Sequence, residues 1–181
     1  ALRAAQTDLA FGGCSAGLGN DAINLLARRY VLTRSGTDED VGSTGDLDVS
    51  ATSIIIQGGS ARTSIIDASG LSDRVLHVSG SAALNLHSVT VTGGVLAAPF
   101  ASNLFGGGIR VDAGATLTLL NAVVDGNRAN VGGGISNLGT LTATRSTLSN
   151  NRAGNTGGGL YHSGVFAMLT NVTVSGNFGV F

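Results

Sequence analysis

The acidic residues that could do chemistry crowd into one stretch, TDEDVGSTGDLDV, where Asp38, Glu39, Asp40, Asp46 and Asp48 place five carboxylates within eleven residues. Oxygen donors at this density suit calcium, with Asp38, Asp40, Asp46 and Asp48 as the candidate ligands, although the spacing of an EF-hand is absent. The simpler reading of the same residues is a solvated acidic loop. Asp67, Asp73 and Arg74 make a second group, for which an aspartate turn with a surface ion pair is expected. His77, His87 and His162 show none of the serine, aspartate or cysteine spacings of a triad or a zinc site. His77 and His87 read as ordinary strand-face residues on adjacent turns of the chain. A polysaccharide-cleaving enzyme needs a facing pair of carboxylates, or calcium with a basic side chain for elimination. Nine of the eleven acids stand at or before Asp73, and only Asp112 and Asp125 follow. Any such centre therefore belongs to the first half.

The second half offers binding features only. Arg128 and Arg152 each follow an asparagine and should stack on one edge, where they either attract an anion such as an acidic sugar or splay into water. Glycan platforms use exposed aromatic rings, and this chain has no tryptophan, two tyrosines and six phenylalanines. Thr116 and Thr118 match Thr140 and Thr142, but Phe166 and Met168 occupy the third equivalent position, so the threonine array is too short for ice binding. Asn171-Val-Thr has the glycosylation pattern and reads as the start of a strand. Cys14 is the single cysteine and has no internal disulfide partner.

The elements that must position these residues are repeats. GATLTLLNAVVDGNRANVGGGI, GTLTATRSTLSNNRAGNTGGGL and GVFAMLTNVTVSGNFGV begin at Gly114, Gly139 and Gly164, a period of 25 residues. Within a unit the apolar residues alternate over three to five positions, as in Ile109 and Val111 or Leu117 and Leu119, which is the pattern of a strand with one buried face. Glycine, asparagine and serine between the runs mark turns. Three short strands per unit cannot close a sheet alone, but stacking units pairs each strand with its equivalent in the next turn. The expected fold is all-β, a right-handed parallel β-helix with three short strands per coil of about 25 residues. Asn127, Asn151 and Asn177 fall after strands, where they should supply a left-handed backbone and a ladder of amides along the rod. The triplets Gly132, Gly133, Gly134 and Gly157, Gly158, Gly159 should bend the chain where a side chain would clash.

The expected organisation is one domain over 1–181, with a capping helix at 1–9, less regular coils at 23–94, a projecting loop at 95–105 and regular repeats at 106–181. Leu2, Ala5 and Leu9 should form the apolar face of that helix, which plugs one end of the rod. The loop carries Pro99, the only proline, with Phe100 and Phe105, and is a natural place for binding specificity. The other end shows no equivalent plug, so the last coil should be covered by further chain or by a partner. Composition agrees. Twenty-nine glycines, no lysine and a single glutamate, Glu39, disfavour a helical protein, while 43% apolar residues exclude disorder. A net charge of −1 offers nothing to nucleic acid, and no apolar run is long enough to cross a bilayer.

The order LRAA, GGCSAGLGNDAI, RRYVLT, GDLDV, SIIIQGG, TSIID, DRVLHV, followed by the GGGI and GNRA repeats, resembles the bacterial CSLREA-domain proteins, whose later coils are similar to polymorphic outer-membrane protein repeats. Leu2, Arg3 and Ala5 match the family's name motif, with Ala4 where its glutamate would stand. The resemblance implies an exported or surface-attached β-helix of the pectate-lyase type and supplies no catalytic residues. The expected function is a non-catalytic extracytoplasmic scaffold or adhesion module, without a cofactor unless calcium binds, and with other proteins or cell-surface glycans as partners. Two other readings compete: a polysaccharide lyase or glycoside hydrolase, and an accessory subunit docked on a membrane complex.

Overall fold

The computed structural model describes residues 1–36, 44–50, 52–96 and 104–179. It is all-β apart from one short helix, and its strands form parallel sheets. The first turn of chain holds β1 (Asp21–Leu25), β2 (Arg29–Val31) and β3 (Leu47–Val49). The second holds β4 (Ser53–Gly58), β5 (Ile65–Asp67) and β6 (Leu76–Val78), and the third β7 (Ala83–His87), β8 (Thr90–Thr92) and β9 (Ile109–Val111). The fourth adds a short extra strand, with β10 (Thr116–Leu120), β11 (Val123–Asp125), β12 (Arg128–Ala129) and β13 (Ile135–Asn137). The fifth repeats it in β14 (Thr140–Thr144), β15 (Thr147–Ser149), β16 (Arg152–Ala153) and β17 (Leu160–His162). The sixth holds β18 (Phe166–Thr170), β19 (Thr173–Ser175) and β20 (Phe178–Gly179).

Every strand pairs with its equivalent one turn away. The first sheet runs β1-β4-β7-β10-β14-β18, the second β2-β5-β8-β11-β15-β19, the third β3-β6-β9-β13-β17 and the small fourth β12-β16-β20. This is the topology of a β-solenoid of six turns. Later turns thus carry four strands rather than the expected three, because Arg128-Ala129 and Arg152-Ala153 stay extended long enough to pair. Asp21, Ile54, Leu84, Leu117, Leu141 and Ala167 are successive partners, so the steps are 33, 30, 33, 24 and 26 residues. The first and third turns are longer because the corner between their second and third sheets carries extra chain, whereas the second turn carries it between β4 and β5.

Alternation along each strand sends every second side chain inward. Ile54, Leu84, Leu117 and Leu141 form one fully buried column, with Ile56, Leu86, Leu119 and Ala143 beside it and Ile66, Val91, Val124 and Leu148 facing them from the second sheet. At the corner between the first two sheets, Ser88, Asn121, Arg145 and Asn171 all adopt a left-handed backbone, with φ of 48–54°. Asn171 therefore turns the chain two residues before β19 begins, rather than starting the strand. The helix α1 (Leu2–Thr7) packs against the first turn, with Ala4 and Ala5 buried. Gln6 ties it down, its amide donating to the Asp48 carbonyl and accepting from the Ser50 N–H. Leu9 is 67% exposed rather than part of the buried face, because Asp8 ends the helix in a left-handed conformation and turns the chain away.

Of the expected projecting loop, residues 97–103, which include Pro99 and Phe100, lie outside the described residues. Its two ends are stitched to the fourth turn. The Leu96 N–H donates to the Arg128 carbonyl, and Phe105 bridges to Val131.

Candidate functional site

The tripeptides Leu47-Asp48-Val49, Leu76-His77-Val78 and Ile109-Arg110-Val111 stack in register as β3, β6 and β9. Their outer apolar residues belong to or pack on the core, so Asp48, His77 and Arg110 face outward as one column. Asp46, Asp73 and Arg74 enter the same face just ahead of β3 and β6, and Asp112 follows β9. The result is a cluster of four carboxylates, two guanidinium groups and an imidazole on the outer face of the third sheet.

Its centre is sealed. The side chains of Asp46, Asp48, Arg74 and His77 are 1–5% exposed. Arg74 Nη1 donates to Asp46 Oδ2 at 3.3 Å, and the Arg74 N–H donates to Asp73 Oδ1 at 2.8 Å. His77 Nε2 lies 2.9 Å from Asp112 Oδ2, while His77 Nδ1 lies 3.4 Å from Asp48 Oδ1. Arg110 Nε holds the other Asp112 oxygen at 2.7 Å. A carboxylate without a proton can only accept, so Nε2 carries a proton toward Asp112, while Nδ1 faces Asp48 and does the same when His77 is charged.

Burial, reinforced by the Asp48 charge, pushes Asp46 up to about 7 despite the opposing pull of Arg74. Burial by itself would lower His77, but hydrogen bonds to Asp48 and Asp112 outweigh it and raise the imidazole above its ordinary value. For Asp112 burial acts upward and is overcome by the His77 and Arg110 hydrogen bonds, so its carboxyl sits below the usual range.

Of the calcium ligands expected from sequence, Asp46 and Asp48 come together, and Asp38 and Asp40 lie outside the described residues. Asp46 and Asp48 are not in a solvated loop. Their partner is His77, and one ligand atom from each of the three lies within 4.8 Å of the others. The second group separates: Asp67 pairs with Arg29 and accepts from the Ser69 N–H, while Arg74 turns to Asp46. His77 and His87 lie on different sheets. His87 meets Gln57, and His162 meets Asn137. The spacing of the sequence does not join His77 to Arg110 and Asp112, because the turns that carry them differ in length. The signal available was the recurring apolar-polar-valine tripeptide.

The asparagine ladder runs through the interior of the later turns. Asn127 Nδ2 donates to Asn151 Oδ1 and Asn151 Nδ2 to Asn177 Oδ1, both at 3.0 Å, and each oxygen also accepts the backbone N–H of the preceding asparagine. These asparagines do not carry the left-handed backbone expected of them. That conformation falls one residue earlier, on Gly126, Asn150 and Gly176. The glycine triplets lie beside the ladder, and a Cβ on Gly133 would run into the Arg152 carbonyl of the next turn. Arg128 and Arg152 stack as paired, exposed residues, and the Arg152 guanidinium lies 5.0 Å from the centre of the Phe178 ring.

The last turn is apolar on both faces. Leu169 and Val174 occupy inward positions and Phe166 and Met168 outward ones, and all four are 43–56% exposed. Comparison of the chain with protein-family models, with curated proteins and with solved structures found no match. Among the described residues, no helix is long and apolar enough to cross a membrane.

Proposed function

We propose that the chain is a non-catalytic scaffold, an exported or cell-surface right-handed β-helix that presents its last turn to a protein partner. The observation that carries this reading is the closure of the polar cluster. Asp46, Asp48 and His77 have the chemistry of an acid–base centre, yet their side chains are at most 5% exposed and offer no face to a polymer. A right-handed coil is supported by the parallel register, since crossovers between parallel strands take that hand almost without exception. Export and surface attachment rest on the resemblance to CSLREA-domain proteins. The partner surface is supported by Phe166, Met168 and Phe178. They point outward, so stacking a further coil on the rod would bury Leu169 and Val174 but leave these three uncovered.

The test is incubation with neutral and acidic polysaccharides, following reducing ends and the ultraviolet absorbance of unsaturated uronates. No product is expected. Turnover that disappears in Asp48→Asn or Asp112→Asn would replace the scaffold with an enzyme. Fractionation of the producing cells tests export, and recovery of the protein only from the cytoplasm would refute it.

A further inference from the structure

We propose that Asp46, Asp48 and His77 form a structural site for one borderline divalent transition cation of the zinc class, which fastens the chain entering β3 to the outer face of the third sheet. Three features of the cluster lead there.

The first is the donor set. Calcium takes six to eight oxygens, whereas two carboxylates with an imidazole nitrogen form the mixed set that suits zinc and its first-row neighbours. The three ligand atoms lie within 4.8 Å of one another. Donors around one tetrahedral ion at about 2.1 Å lie about 3.4 Å apart, so a closure of up to about 1.4 Å completes the set.

The second is the support behind the imidazole. Metal-binding histidines characteristically donate their other ring N–H to a carboxylate, which fixes the tautomer and aims the free nitrogen. His77 does this through Nε2 to Asp112, and Arg110 holds Asp112 in place. Nδ1 is thereby turned toward Asp48, on the side where the two carboxylates converge. An ordinary strand-face histidine needs no such relay.

The third is charge. Among the described residues, the cluster gathers the four carboxylates of Asp46, Asp48, Asp73 and Asp112 with the guanidinium groups of Arg74 and Arg110, an acid-rich surrounding that favours a cation. Arg74 occupies one oxygen of Asp46, at 3.3 Å, and remains as its outer partner. Beside Asp46, whose side chain is 1% exposed, lies a cavity of about 230 Å³ lined by Val31, Leu32, Thr33, Arg34 and Thr44. Because the site joins β3, β6 and the segment before β3, its role is to hold this longer corner against the sheet.

The test is titration of the metal-free chain with zinc against a chromophoric chelator. One equivalent should bind with micromolar or tighter affinity in the presence of millimolar calcium. At a hundredfold excess over Kd, the same ion should raise Tm by about 5–10 °C. His77→Gln and the isosteric Asp48→Asn should each weaken binding at least about tenfold. A chain with both His87→Gln and His162→Gln should bind as the parent does. X-ray absorption of the zinc-loaded parent should show nitrogen and oxygen ligands only, a readout that holds even where a substitution prevents folding. The proposal fails if the parent binds no zinc, if calcium displaces it, if His77→Gln binds equally well, or if a sulfur ligand assigns the ion to Cys14.

Discussion

At the scale of single residues, the decisive event is desolvation. Asp46 would be an ordinary surface acid in the loop its sequence suggests, but it is buried beside Asp48 and its carboxyl is held up to about 7, against 3.8 in water. A carboxyl that keeps its proton more tightly when folded makes folding less favourable as pH rises, with the loss confined to the interval between those two values. In chelator-containing buffer, urea unfolding should therefore show stability falling from about pH 4 to about pH 7, and Asp46→Asn should remove that part of the slope. His77, which is raised, adds a loss of stability as pH climbs through its folded value. Asp112, which is lowered, contributes stability that disappears only as pH falls through its own. The ladder asparagines are equally position-dependent. Asn151 is fully buried and bonded to both neighbouring turns. Asn151→Ala leaves buried partners in two turns unsatisfied and should cost about 2–4 kcal/mol in chemical denaturation, well above the usual surface substitution.

At the scale of the elements, what repeats is the corner rather than the strand. Ser88, Asn121, Arg145 and Asn171 bend the chain between the first two sheets with the same left-handed backbone. Asparagine tolerates that conformation, and arginine pays for it. Arg145 recovers part of the cost through its Nε–H bond to Asn121 Oδ1, but that bond is exposed. Arg145→Asn should stabilise the chain by about 0.5–1 kcal/mol, read as a rise in the denaturation midpoint at unchanged slope. The glycine triplets set the opposite requirement, a close approach of backbone to backbone. Gly133→Ala should destabilise by about 1–3 kcal/mol, because the neighbour it meets is the main chain of the next turn and cannot swing aside. The short repeat and its turns are readable in the sequence because 24- and 26-residue steps keep the glycines and asparagines aligned. The early steps of 33, 30 and 33 residues break that alignment, and for this reason the column of Asp48, His77 and Arg110 is hidden in the one-dimensional order.

At the scale of the stack, the first and sixth turns are unlike. α1 covers the first turn, whereas the sixth exposes apolar side chains on its inner and outer faces. Replacing Phe166 and Met168 by threonine would extend the ladder already formed by Thr116, Thr140, Thr118 and Thr142. That double substitution should lower the binding of a hydrophobic dye without lowering Tm, since neither side chain supports the core. If dye binding is unchanged, the inward-facing Leu169 and Val174 carry the exposed patch instead. The sequence by itself determined the all-β class, the stacked parallel strands and the inward columns of leucine, isoleucine and valine, because alternation and turn chemistry are local properties with a short period. It also identified Asp46 and Asp48 as residues of interest. Only the tertiary structure decided that they meet His77, Arg74 and Asp112 in a buried cluster. Burial and charge pairing depend on which turns lie one strand spacing apart, and turns of unequal length leave that neighbourhood unwritten in the spacing of the residues.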